Sequence, residues 1–244
     1  MTSQSHTTVV VKEDEANVIN SLSKFIEECA EKAVKDHGKF YLGVSGGSLA
    51  KFLTKGLPSI STDWSKWLIF FCDERHVDFK NEDSTYKLYK ESLLTKVDLK
   101  DEQIIKINPE LSVDEAATEY VQQMKAIFTE CDWPTFDLLL LGMGPDGHTC
   151  SLFPNHPLLS EDSVWVAPIK DSPKPPPCRI TMTFPVINRA QHSAFAACGE
   201  GKAEMLKRVL EGDEQPPLPA AMVKSATVHW FVDKSAANLL TKFS

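Results

Sequence analysis

Asp146 and His148 lie two residues apart in a stretch that reads LLLLGMGPDGHTCSLFP from Leu138 to Pro154. A carboxylate and an imidazole at this spacing can act as a pair: the imidazole titrates nearest working pH and serves as a general base, and the carboxylate orients it. A plainer reading stands beside this, because a histidine in a glycine-rich turn also caps helices or satisfies carbonyls. A second candidate is Ser45-Gly46-Gly47-Ser48. Its backbone N–H groups would face a phosphate at a helix N-terminus, although a simple helix cap needs the same residue types. The same region, Gly43 to Gly47, fits G-x-S-x-G, the nucleophile elbow of serine hydrolases, with Asp146 and His148 following in a permitted order. Only two strands precede it and no HGGG-type segment is present, which argues against that fold. The third candidate is Asp73-Glu74-Arg75-His76, and Arg179 and Lys202 have the same character as Arg75. Each cation reads as an ordinary surface charge, or as one of a set that binds a dianionic phosphate through charge-assisted hydrogen bonds.

Other chemistries find less support. The seven histidines show no H-E-x-x-H and no pairing with cysteine at ligand spacing, so no metal is expected. His192 and His229 fall inside strand patterns and read as packed or edge residues. The six cysteines are scattered, with no C-x-x-C, and read as reduced, mostly buried thiols. The five tryptophans fall at or near strand ends, where core filling is a better account than stacking on a base.

The candidate groups need elements to position them, and hydrophobic periodicity supplies those. Four consecutive leucines, Leu138 to Leu141, make a buried central strand, and Gly142, Gly144 and Gly147 allow the tight turn after it. Lys39 to Val44 is a strand that runs into the Ser45 turn, and apolar Leu49, Phe52 and Leu53 mark the following helix. Trp67 to Cys72 is a third buried strand, ending in the charged Asp73–His76 group. Strands are also expected at Thr8–Lys12, Ile104–Ile107, Val164–Ile169, Arg179–Phe184, Ser193–Cys198 and Thr227–Val232. Helical spacing predicts helices over Asp14–Asp36, Tyr86–Leu94, Val113–Phe128 and Gly199–Leu210. Asp171 to Pro177, DSPKPPP, is too proline-rich for regular structure and reads as a surface excursion or lid. Alternation of strands and helices without internal repeats predicts one α/β domain over 1–244, with a doubly wound, largely parallel sheet and helices on both faces. Candidate groups then gather at the carboxyl ends of strands, where open parallel sheets bind ligands.

A formal charge of −8 and the lack of any long basic run exclude a nucleic-acid footprint. The start, MTSQSHTTVVVKEDE, has neither a transit pattern nor a hydrophobic signal core, and no apolar run approaches membrane-spanning length. A soluble cytoplasmic protein is expected, with no membrane partner. Oligomeric state is not set by the sequence, and a monomer is compatible with it.

SGGS at Ser45–Ser48, DER at Asp73–Arg75, GMGPDGHTCSLFP at Gly142–Pro154, CRITMT at Cys178–Thr183, GEGK at Gly199–Lys202, LPAAMV at Leu218–Val223 and WFVDK at Trp230–Lys234 resemble the 6-phosphogluconolactonase family, in its order and over nearly the whole chain. The resemblance implies a modified Rossmann-like sheet and hydrolysis of 6-phospho-D-glucono-1,5-lactone, the second step of the oxidative pentose phosphate pathway, without a cofactor. For that reaction His148, with its pKa nearest working pH, is the expected general base, and Asp146 would orient it if the turn brings the two together. Gly46, Gly47, Ser48, Arg75, Arg179 and Lys202 would hold the phosphate. The glucosamine-6-phosphate deaminases share the fold and are the alternative, beside a non-catalytic sugar-phosphate sensor. Those deaminases carry Asp-Glu-Tyr where this chain has Asp73-Glu74-Arg75, and a proton-shuttling Glu where it has Phe153. Cys150 and Thr85 depart from the usual lactonase Ala and Asn.

Overall fold

The computed structural model describes residues 6–129 and 131–243. In chain order its elements are β1 (His6–Lys12), α1 (Glu15–His37), β2 (Phe40–Val44), α2 (Ser48–Gly56), β3 (Trp67–Phe71), β4 (Asp73–Arg75), α3 (Thr85–Ser92), β5 (Ile104–Ile105), α4 (Val113–Ile127), β6 (Leu138–Leu141), β7 (Val166–Ile169), β8 (Arg179–Met182), α5 (Phe184–Ile187), β9 (His192–Ala197), α6 (Ala203–Glu211), β10 (Thr227–Asp233) and α7 (Lys234–Ala237). Seven strands form a parallel sheet in the order β1-β10-β9-β6-β2-β3-β5. β6 is its middle strand, as four consecutive leucines require.

The leucines divide by pleat. Leu138 and Leu140 pack with α1, α2 and α3 residues such as Ile26, Leu53 and Tyr89. Leu139 and Leu141 pack on the other face with Tyr120 and Met124 of α4 and Leu206 of α6. A strand covered on both faces has no polar side to show, which is why its sequence runs apolar without alternation. The long helices start and stop where their caps dictate. Asp14 accepts from Asn17 N at 2.9 Å to begin α1, and Gly38 ends it at a φ of +83°. Ser112 and Glu115 form a capping box at the start of α4.

The first correction concerns sheet membership. Val166–Ile169 and Arg179–Met182 do not join the parallel sheet; with β4 they form a separate antiparallel sheet in the order β4-β8-β7. Cys72 is the switch point, since its N–H bonds to Val44 O at 2.8 Å in one sheet and its carbonyl accepts from Met182 N at 2.7 Å in the other. The charged Asp73–Arg75 segment is therefore itself a strand. Its Glu74 is wholly buried because its carboxylate accepts backbone N–H bonds from Arg75, Thr85 and Tyr86 at 2.7, 2.8 and 2.7 Å. Helix α6 begins later than expected, after a turn of 3₁₀-helix at Glu200–Lys202. The thiols also differ from expectation: Cys29, Cys72 and Cys150 are buried, but Cys131 is exposed and Cys178 and Cys198 are partly so.

Candidate active site

Where β6 ends, the chain closes a tight turn in which Gly144 N donates to His148 O at 2.9 Å and Gly147 N to Gly144 O at 3.0 Å. Two glycines are compulsory for different reasons. Gly147 has a φ of +79°, which strains any residue with a Cβ, whereas a Cβ on Gly144 would fall 2.0 Å from His148 Nδ1. The turn thereby brings Asp146 Oδ1 to 2.5 Å from His148 Nδ1. With Nδ1–H donated to the carboxylate, Nε2 keeps its lone pair and is free to take a proton. Burial pushes the His148 pKa below the ordinary histidine value, more than Asp146 raises it, so the neutral imidazole is favoured. Desolvation would raise the Asp146 pKa, but hydrogen bonds from His148 and Lys174 override it and hold the carboxyl at about 2.

Beside this pair lies the Ser45–Ser48 turn. Ser45 N bonds to Leu140 O at 3.0 Å, Gly47 adopts a φ of +73°, and α2 begins at Ser48. Gly46 runs against the Thr85 side chain, whose Oγ1 would lie 3.1 Å from an added Cβ. Ser45 Oγ, Arg75 Nε, Thr85 Oγ1 and Thr149 Oγ1 are buried with no hydrogen-bond partner among the described residues. Unsatisfied polar atoms are costly and uncommon, and two of these residues, Ser45 and Arg75, line one cleft, which marks it as a place built to receive polar groups.

The structure brings seven of the eight expected site residues, Gly46, Gly47, Ser48, Arg75, His148, Arg179 and Lys202, to the wall of one cavity of about 150 Å³. Asp146 stands behind His148. Lys202 Nζ donates to Met143 O at 3.0 Å, and burial, then Lys174, push its pKa below the usual lysine value. Arg75 reaches the cleft from β4, with Nη1 on Asp83 O at 3.1 Å. A larger cavity of about 550 Å³ opens around His37 and Asp137 at the amino ends of β2 and β6. There His37 Nε2 meets Asp137 Oδ1 at 2.9 Å and Tyr41 N donates to Asp137 Oδ2 at 2.8 Å, and none of the unpartnered buried atoms lies in its wall. Volume alone does not make a site; the smaller cleft holds the convergent polar groups.

Arg179 proves to be more than a surface cation. It is 3% exposed and its guanidinium donates from Nε to Pro176 O at 3.0 Å and from Nη2 to Lys174 O and Pro175 O at 2.9 and 3.0 Å. Nη1 lies 3.4 Å from Ser151 Oγ, which in turn donates to Asp73 Oδ2 at 2.9 Å. Sequence reasoning missed Lys174 as an individual residue. Its Nζ is 3.0 Å from Asp146 Oδ1 and 3.2 Å from His148 Nδ1, and its only signal was being the one cation among the prolines of DSPKPPP. The serine-hydrolase pattern finds no support, since Ser45 Oγ has no partner among the described residues and His148 Nδ1 faces Asp146 and Lys174. Phe153 is buried, its ring 4.7 Å from that of His148, and no carboxylate stands in its place.

Fold and cleft together define a doubly wound α/β protein with a histidine–carboxylate pair and several cations at the carboxyl ends of its parallel strands. Residues 13–230 match the family model of glucosamine-6-phosphate isomerases/6-phosphogluconolactonase. The chain is 49% identical over 229 residues to the 6-phosphogluconolactonase of Bos taurus, covering 91% of this chain and 89% of the relative. It is 51% identical over 210 residues to that of Homo sapiens, covering 83% and 81%. Among solved structures, 6-phosphogluconolactonase from Thermotoga maritima superposes with a TM-score of 0.82 at 26% identity, covering 93% of this chain and 100% of that one. A monomeric glucosamine-6-phosphate deaminase of the NagB superfamily shares the fold, with a TM-score of 0.80 at 17% identity over 96% of this chain and 100% of that one. The chain belongs to the glucosamine-6-phosphate isomerase/6-phosphogluconolactonase family.

Proposed function

We propose that this chain hydrolyses 6-phospho-D-glucono-1,5-lactone to 6-phospho-D-gluconate, with His148 as general base toward water and the Ser45–Ser48 turn, Arg75 and Lys202 as the grip on the phosphate. The observation that carries the reading is the Asp146–His148 contact at 2.5 Å on the wall of a cation-lined cleft. The activity named for the bovine and human relatives supports the substrate.

A δ-lactone is an activated ester, so the enzyme needs a base, charge stabilisation and a proton for the leaving oxygen. His148 Nε2 takes a proton from water as the water oxygen attacks the lactone carbonyl carbon. Asp146 stabilises the imidazolium that results. The tetrahedral intermediate then collapses, the bond from that carbon to the ring oxygen breaks, and the departing oxygen takes the proton back from His148. The product is a carboxylic acid and a free hydroxyl, and His148 returns to its neutral state. The unpartnered Arg75 Nε and Ser45 Oγ and the Gly46–Gly47 backbone suit a phosphate at the far end of the substrate.

The deciding experiment runs lactone hydrolysis and glucosamine-6-phosphate deamination side by side on the purified chain, each against a no-enzyme blank because the lactone also opens spontaneously. Turnover of the lactone without deamination is expected. Deamination with lactone opening no faster than the blank would replace this reading with the deaminase one.

A further inference from the structure

We infer that Lys174 is a positioning residue for His148, delivered to the Asp146–His148 pair by a clasp that Arg179 makes on the proline-rich loop. The inference rests on His148 as the base, and extends the site to the proline-rich loop between β7 and β8.

The loop between β7 and β8 has no regular structure to hold it. Its three consecutive prolines carry carbonyls but no N–H donors, so beyond the Ser172 N–H bond to Pro177 O at 3.2 Å the carbonyls of Lys174, Pro175 and Pro176 must find donors elsewhere. Arg179 supplies what is missing: one planar guanidinium bonds the carbonyls of Lys174, Pro175 and Pro176. Ser172 completes the closure, its Oγ donating to Lys174 O at 2.8 Å and accepting from Lys174 N at 3.2 Å. The backbone of Lys174 is thus held from two sides, and its Nζ reaches the carboxylate oxygen that also receives His148 Nδ1.

Two effects follow from that placement. The ammonium pins the Asp146 carboxylate in the rotamer that orients the ring. Its charge also disfavours a proton on His148, keeping the imidazole in its base form. The other charges acting on His148 are Asp146 from its own turn and Asp73 from β4, both of which favour the proton, while Arg75, Arg179 and Lys202 line the same cleft. Lys174 is the cation in direct contact with the ring nitrogen, at 3.2 Å.

The test is an NMR titration of the His148 ring in the full chain, its signal identified as the one lost in His148→Ala, beside the pH profile of kcat/KM. In Lys174→Met the His148 midpoint should move upward and the acid limb of kcat/KM should move with it. The loss should be roughly tenfold to a hundredfold on the acid side and smaller on the alkaline side. Lys174→Arg keeps the charge and should leave the midpoint near wild type. Arg179→Met should shift the midpoint in the same direction, and the double variant no further, because both act through one contact. Lys174 is partly exposed, so its variant leaves no core cavity, and an unchanged amide fingerprint certifies the fold. An unshifted His148 midpoint in folded Lys174→Met overturns the inference. Additive shifts in the double variant overturn the clasp. Failure of the underlying reading looks different: a wild-type chain without lactonase activity, or with no acid limb, removes His148 as base while the ring titration still reports on Lys174.

Discussion

His148 is the residue on which the chemistry turns, and its environment makes opposing demands. Burial keeps it neutral and ready to accept a proton, and Asp146 stabilises it once the proton has arrived. Because only the neutral ring is a base, kcat/KM should fall as pH drops through a single ionisation lying below the ordinary histidine value, and a pH–rate profile of the free enzyme checks this. His148→Ala should lower kcat on the order of a hundredfold to ten-thousandfold with the fold kept, and Asp146→Asn should cost less because an amide oxygen still orients Nδ1–H. A raised KM with kcat preserved in folded His148→Ala would instead make the residue a binding group. Phosphate recognition is separable from this chemistry. Arg75→Ala removes a charge-assisted bond of roughly 1.5–3 kcal/mol, or about tenfold to a hundredfold in kcat/KM for the phosphorylated lactone. Unphosphorylated gluconolactone should be a poor substrate that hardly notices the change, and equal losses on both would assign Arg75 to structure or catalysis.

The elements that carry these residues were legible to different degrees, for physical reasons. Helices α1 and α4 and the strands of the parallel sheet announce themselves by apolar period and caps, to within a residue or two. Sheet membership does not. Val166–Ile169 and Arg179–Met182 are nearly as buried as the leucines of β6, so an apolar run cannot say which sheet it joins or in which direction. Glu74 was unreadable because a charged residue in a buried strand depends on three N–H donors, two of them from Thr85 and Tyr86 of α3. Lys174 was unreadable because it meets Asp146 across 28 positions of chain, with no periodicity linking them. In the glycine turn after β6, by contrast, Gly144 and Gly147 are legible as required, whereas Gly142 has an ordinary φ and open space around it, and the turn can be tested directly. A methyl at Gly144 must displace the His148 ring, so Gly144→Ala should lower kcat on the order of a hundredfold, the penalty of a misplacement near 1 Å. Gly201→Ala meets nothing within 4 Å at an ordinary φ and serves as the control. Equal activity of the two variants would show that the turn gives way without moving the base.

Across the whole molecule, two groups without a part in the reaction set opposite trends of stability with pH. Burial, against three backbone N–H bonds, raises the Glu74 pKa from 4.5 to about 7. Between those values the folded chain holds a proton that the unfolded chain has released, so this group favours the fold most at the acid end, and the advantage is lost as pH rises toward 7. His229 lies half-buried on β10 against Phe25, ring centroids 4.4 Å apart, and burial, with His192 and His6 nearby, lowers its pKa from 6.5 to about 4. Here the unfolded chain takes up the proton first, so His229 contributes its full stability above 6.5 and loses it as pH falls toward 4. In the interval where both titrate, the slopes oppose, and the wild-type profile should be flatter than that of either variant. Glu74→Gln should be less stable at every pH, because an amide N–H₂ replaces one of two carboxylate oxygens that accept from Arg75, Thr85 and Tyr86, leaving a buried donor without an acceptor at about 1–3 kcal/mol. The diagnostic quantity is the slope. From pH 5 to pH 7.5, urea unfolding should show Glu74→Gln gaining stability relative to wild type as pH rises, and His229→Phe losing it. Parallel curves for Glu74→Gln and wild type would mean that the buried carboxylate stays ionised throughout, held by its three N–H donors, and that the acid-side trend belongs to the histidines alone.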